Sequence, residues 1–147
     1  MDENAKKLLD RLEAQCSKRE CCSRDVRMKA LKALEGNSAY ADEVVASLVH
    51  DGFVNDLRYA SAFAREKASL TGWGPVKIRF ALRAKGIGES DISAALEEID
   101  SDKATERLRR LIEQKRKSLE GDPQIRLKLI KFALSRGYDY KDIEELV

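Results

Sequence analysis

Seven positions in this chain recur at a fixed offset, and that recurrence constrains the fold more than any other feature. Ile78, Leu82, Gly86, Ile87, Asp91, Ile92 and Leu96 are followed 51 residues later by Leu129, Ala133, Gly137, Tyr138, Asp142, Ile143 and Val147. Val44 and Leu48 precede Ile92 and Leu96 by 48 residues. A period of about 50 residues with apolar positions at helical spacing is the signature of a tandem helical repeat, in which each unit is expected to pack mainly on its neighbours. Nowhere do β-branched residues alternate long enough to read as a strand. The expected fold is all-α: three three-helix repeats over residues 1–55, 56–101 and 102–147, forming an elongated, curved array.

Local punctuation supports the division. In the first unit, Leu8, Leu9 and Leu12 share one helical face, Ser23 is placed to cap a second helix, and Val44, Val45, Leu48 and Val49 mark a third. That helix is expected to end at Gly52, with Phe53 and Val54 turning into the core and Asn55 or Asp56 capping the next helix. In the second unit Leu57, Ala60, Phe63, Ala64 and Leu70 line a helix that stops at Gly72-Trp73-Gly74. Pro75 suits the first position of the following helix and Gly86 the residue after its end. Ser90 is placed to cap the third helix. The last unit repeats the plan, with turns at Gly121-Asp122-Pro123 and Gly137-Tyr138.

Charged residues make up 37% of the 147 positions and aromatic residues 6%, a balance that suits a thin helical array better than a sphere. No apolar run reaches the roughly 18 residues of a membrane helix, and MDENAKKLLD does not read as a signal peptide, so a cytoplasmic protein is expected. Cys16, Cys21 and Cys22 are expected to be reduced thiols. Adjacent Cys21 and Cys22 fit poorly on one tetrahedral ion and His50 is remote, so no metal is expected.

No catalytic constellation is visible. Gly72-Trp73-Gly74 has neither a preceding strand nor a following Gly-Lys-Ser/Thr, and His50 has no nucleophile at telling spacing. Neither a cofactor nor a small-molecule substrate is expected. The net charge of +2 conceals strong segregation: residues 65–85 carry six Lys/Arg against one carboxylate, 86–102 none against six, and 103–136 eleven against four.

The sharpest binding candidate lies on the helix that begins at Pro75. Opposite its apolar face, Val76, Arg79, Phe80 and Arg83 combine cations with apolar groups, a surface that can grip carboxylates or phosphates bidentately while burying area. The alternative is that Arg79 and Arg83 pair with acids of the 86–102 block across a repeat junction. Trp73 is either a lid over the repeat core or an anchor for a partner. In the third unit Arg109, Arg110, Arg116, Lys128 and Lys131 are candidates for a basic groove. The positions there equivalent to Val76, Arg79 and Arg83 are Leu127, Ile130 and Leu134, an apolar side expected to pack on the middle unit.

Gly52-Phe53-Val54-Asn55-Asp56, Arg58-Tyr59-Ala60 with Phe63, Gly74, Lys77-Ile78 and Lys85-Gly86-Ile87 together resemble the RecX family of bacterial RecA regulators. Looser similarity extends to Cys16–Glu20 and Phe132–Tyr138. In the GFVNDLRYA motif Asp56 is expected to cap, Phe53 and Phe63 to pack, and Arg58 to pair with a carboxylate or carbonyl across the unit junction. The resemblance implies a monomeric, non-enzymatic regulator that binds RecA and the RecA–DNA filament. It also implies inhibition of the recombinase, ATPase and co-protease activities in DNA repair, recombination and the SOS response. The competing reading is a helical module acting directly on single-stranded DNA, or binding it weakly beside the first role.

Overall fold

Nine α-helices and no strand make up the computed structural model, which describes residues 1–147. They are α1 (Glu3–Lys18), α2 (Ser23–Ala33), α3 (Ser38–His50), α4 (Asp56–Glu66), α5 (Pro75–Ala84), α6 (Glu89–Glu97), α7 (Ser101–Ser118), α8 (Ile125–Ser135) and α9 (Tyr140–Glu144). A π-helical turn, Lys67–Thr71, extends α4.

Three separate apolar clusters form, one per helix trio. Leu8, Leu12, Val26, Ala30, Val44 and Leu48 belong to the first. Ala60, Ala64, Ile78, Leu82, Ile87 and Ile92 belong to the second, and Leu108, Ile112, Leu129, Ala133, Tyr138 and Ile143 to the third. The 51-residue recurrence is therefore a recurrence of core positions: Ile78 and Leu129, Ile87 and Tyr138, and Ile92 and Ile143 are all buried. Every pair of helices in extensive contact lies within one trio. This corrects the expectation that units pack mainly on their neighbours: each trio encloses its own core and the junctions are thin. A solvent-accessible surface of 9180 Å² exceeds the roughly 7,600 Å² expected of a compact monomer of this mass, as an elongated array requires.

Helix ends follow from specific residues. After α3, Gly52 has φ +81°, and the N–H of Phe53 donates to the carbonyl of Leu48 (2.9 Å) while that of Gly52 donates to Val49 (3.1 Å). This is the Schellman arrangement, which needs the left-handed residue. Asn55, not Asp56, caps α4, accepting from the N–H of Arg58 at 2.9 Å. Asp56 instead reaches back to α2, accepting from the Ser23 N–H (2.8 Å) and the Ser23 hydroxyl (2.7 Å). Ser23 is thus the first residue of α2 rather than its cap, a position held by Cys22. Likewise Gly88, not Ser90, precedes α6. Arg58 donates to Glu20 at 2.7 Å and to the carbonyl of Gly52 at 3.0 Å, tying the α1–α2 connection to the α3–α4 turn.

The second helices of the trios meet end to end. The N–H groups of Gly74 and Val76, at the start of α5, donate to the carbonyls of Arg136 (2.7 Å) and Gly137 (2.9 Å) at the end of α8. At the next junction Arg24 of α2 donates to the carbonyl of Ala84 at the end of α5 (2.8 Å), and Lys85 pairs with Asp25 at 2.9 Å. Orphan donors of one helix start are satisfied by the carbonyl end of another.

The hydrogen bond from Lys85 holds the Asp25 carboxyl below its ordinary range, and Asp25 raises Lys85. The Asp25 contribution is therefore complete above the usual aspartate pKa and is lost as pH falls through the lowered value; the Lys85 contribution is complete below the usual lysine pKa and is lost only as pH rises through the raised one. Chemical denaturation at pH 3 and pH 7 should show a stability difference that shrinks in Asp25→Asn.

Candidate interaction surface

The outer face of α5 is built by helix geometry. Ile78 and Leu82 point into the second core and are fully buried. At 100° per residue Phe80 then stands opposite them, with Val76 and Arg83 to one side. Phe80 is 73% exposed and Val76 48%. Arg79 reaches Glu89 at 3.0 Å, and Arg83 hydrogen-bonds the second oxygen of the same carboxylate. Arg83, then Arg79, holds the Glu89 carboxyl below its ordinary range. One acid at the start of α6, in the same trio, thus serves two guanidinium groups, and all three side chains remain substantially solvated. Exposed pairs of this kind contribute little to stability, so another carboxylate can replace Glu89 at small cost.

Trp73 is half-buried and packs on the second core. Its ring meets Phe63 edge-on at 6.2 Å, and the ammonium groups of Lys67 (4.8 Å) and Lys77 (4.6 Å) both lie over it. Phe63 is itself half-buried at the core edge, stacked on Tyr59 at 6.1 Å. Trp73 also lines a cleft of about 320 Å³ between the second and third trios, with Ile78, Leu96, Ile99, Leu108 and Leu146 as its apolar lining. Its position is that of a lid. Neither contact was read from the sequence: Lys77 lies on α5 while Trp73 precedes it, and Lys67 is brought to the ring by the π-turn.

The basic residues of the third trio are divided among separate carboxylates. Arg109 and Arg110 share Glu106 (both 3.6 Å), Arg116 binds Glu113 (3.3 Å) and the Leu146 carbonyl (3.0 Å), and Lys128 binds Asp122. Lys131 stands exposed on α8 outside these pairs. Lys115 and Arg136 flank the Phe132 ring at 5.3 and 5.2 Å. The apolar side of α8 differs from expectation: Leu127 and Leu134 are 48% and 46% exposed, and only Ile130 is buried. The middle trio does not cover them because α8 touches it end-on, through Arg136 and Gly137, rather than side by side.

The three cysteines are free thiols; Cys16 and Cys22 are buried and Cys21 partly so. Burial, reinforced by the Cys21 side chain, pushes Cys16 up to about 12, and burial also raises Cys22. Because the thiolate is the reactive form, alkylation of the folded protein at pH 8 should label Cys21 first. Cys16 and Cys22 should react at the rate of unfolding, a stoichiometry that mass spectrometry resolves.

Residues 55–96 match the family model described as RecX, second three-helix domain. The chain is 34% identical over 110 residues to the regulatory protein RecX of Bacillus mycoides (strain KBAB4), covering 74% of this chain and 41% of that protein. To that of Bacillus cereus (strain B4264) it is 33% identical over 116 residues, covering 78% and 43%. The chain thus spans about two fifths of the length of these relatives. Among solved structures, RecX from Lactobacillus salivarius superposes with a TM-score of 0.86 at 22% identity, over 99% of this chain and 96% of that one. A second structure, of regulatory protein RecX, gives 0.85 at 23%, over 98% and 71%. No helix is long and apolar enough to cross a membrane.

Proposed function

Because the chain belongs to the RecX family, carried most specifically by its middle three-helix domain, we propose that it is a cytoplasmic regulator that binds RecA. The preferred form is RecA assembled on DNA, and the effect is inhibition of ATP hydrolysis, strand exchange and co-protease activity. It acts as a monomer and by binding alone. Its three units, 1–55, 56–101 and 102–147, are the modules of that binding surface.

One observation carries the reading: the outer face of α5, where Phe80 stands 73% exposed between two arginines held only by the solvated Glu89. A large aromatic left in water beside arginine is the composition of a protein-binding hot spot. The pairs with Glu89 restrain both guanidinium groups, so fewer side-chain states are lost when a partner carboxylate takes over.

A direct role on single-stranded DNA is favoured by the Lys115–Phe132–Arg136 cluster with Lys131 beside it. It is opposed by the pairing of Arg109, Arg110, Arg116 and Lys128 to carboxylates of their own unit. Titrating the protein into RecA hydrolysing ATP on single-stranded DNA, beside salt-dependent DNA binding of the protein alone, separates the two. Loss of hydrolysis at substoichiometric protein with weak DNA binding supports the regulator. Inhibition only when the DNA is saturated, with a steep salt slope, replaces it with competition for the lattice.

A further inference from the structure

The order α8, α5, α2 joins three helices head to tail, the carbonyl end of each meeting the start of the next. Their thirty-two residues sum to about 48 Å of helix at the helical rise. The buried pairs Val26 and Ala30, Ile78 and Leu82, and Leu129 and Ala133 fix the same rotation in each. Met28, Phe80 and Lys131 are then equivalent, each opposite its core.

What these helices leave exposed is distinctive. The ten large apolar residues that stand in solvent include Met28 (59%), Val76, Phe80, Leu127 and Leu134, so about a fifth of the chain holds half of them. The same three helices carry ten Lys/Arg and one carboxylate, Asp25, and Asp25 is tied to Lys85. The chain as a whole is only +2, so the rest of it is net acidic and the cations are concentrated on these helices.

We propose that the outer faces of α8, α5 and α2 form one docking strip, repeated once per unit, for an acidic amphipathic helix of a partner protein. Resting on the RecA-binding reading, the strip is where this chain would meet the filament. Carboxylates of the partner answer Lys29, Lys32, Arg126 and Lys131 and compete for the cations held by the solvated Asp42, Glu89 and Asp122, and its apolar side covers Met28, Phe80, Leu127 and Leu134. Four of the five exposed apolar side chains are aliphatic and have no π face for a nucleic-acid base, which favours a protein helix over a single strand. Repetition of one weak contact along one chain gives avidity.

Two probes test this. The first is the RecA filament on single-stranded DNA; the second is a designed helical peptide with glutamates on one face and leucines at i, i+3, i+4 and i+7 on the other, followed by hydrogen exchange. Met28→Glu, Phe80→Glu and the pair Leu127→Glu with Leu134→Glu should each weaken filament binding by about tenfold or more without lowering the melting temperature. The peptide should protect α2, α5 and α8 together. If only Phe80→Glu weakens filament binding, or the peptide leaves α2 and α8 unprotected, the strip is wrong while the regulator reading stands. If the peptide protects all three helices but the wild-type protein ignores the filament, the strip survives and RecA is the wrong partner. A single-stranded oligonucleotide that gives the same footprint, undiminished by the Met28 and Leu134 changes, would overturn the proposal in favour of nucleic acid.

Discussion

Gly137→Ala should destabilise the protein by about 2–5 kcal/mol, whereas Gly121→Ala should cost only about 1–2 kcal/mol. Both glycines have left-handed backbone, φ +92° and +83°, and an alanine there costs roughly 1–2 kcal/mol in either case. They differ in surroundings. A Cβ on Gly121 would meet nothing within 4 Å, whereas one on Gly137 would lie 2.2 Å from the Cβ of Lys77 and 2.7 Å from its backbone nitrogen. The start of α5 would have to move, and overpacking of this kind adds about 1–3 kcal/mol. The movement would break the bonds from Gly74 and Val76 to Arg136 and Gly137. Because each trio has its own core, the strain can be released by opening the junction while the helices stay folded. The amides of Gly74 and Val76 should therefore exchange faster in Gly137→Ala, with the three cores still protected. Equal melting of the two variants would show that the close approach at Gly137 imposes nothing beyond its backbone angle.

Much of this was legible in the residues, and what was not follows a physical pattern. Most core positions could be read from periodicity: Ile78, Leu82, Ile92, Leu129 and Ile143 are all buried, while Leu57 and Leu70, read on the lining face of their helix, stand exposed. Gly52, Gly86 and Gly137 could be placed because a glycine just past the last apolar position of a helix marks the left-handed residue that commonly ends one, and all three have that backbone. Capping failed where the partner lay far away. Asp56 and Ser23 are 33 residues apart, and spacing cannot say that an acid at the start of one helix serves the start of another. The covered face of α8 also failed, since Leu127 and Leu134 look like core by composition and only the end-on junction leaves them in water. The α5 face could be read as a mixed cationic and apolar surface. That a single carboxylate, Glu89, holds both arginines required the coordinates, because six acids in the 86–102 block were equally eligible by sequence.

Reversing the two arginines is the second large effect. Arg79→Glu with Arg83→Glu should weaken binding to the RecA filament by about a hundredfold or more while shifting the melting temperature by only a few degrees. Stability should hardly change because the lost pairs with Glu89 are solvated. What the variant gains is three carboxylates on one turn of surface where a partner acid must approach, and like charges there cost more than the lost attraction alone. Adding Glu89→Lys to the double variant separates the two contributions. The triple variant rebuilds the ion pairs with reversed sign, restoring the surface geometry but not the cationic α5 face. If it remains as defective as the double variant, the arginines act on the partner. If it recovers inhibition of RecA ATP hydrolysis, Arg79 and Arg83 serve only to anchor α6 and the binding face lies elsewhere. Phe80→Ala provides the independent check: its ring is largely in water, so truncation should leave the melting temperature unchanged and still reduce inhibition about tenfold or more. A folded Phe80→Ala protein that inhibits as well as the wild type would remove the α5 face from the mechanism.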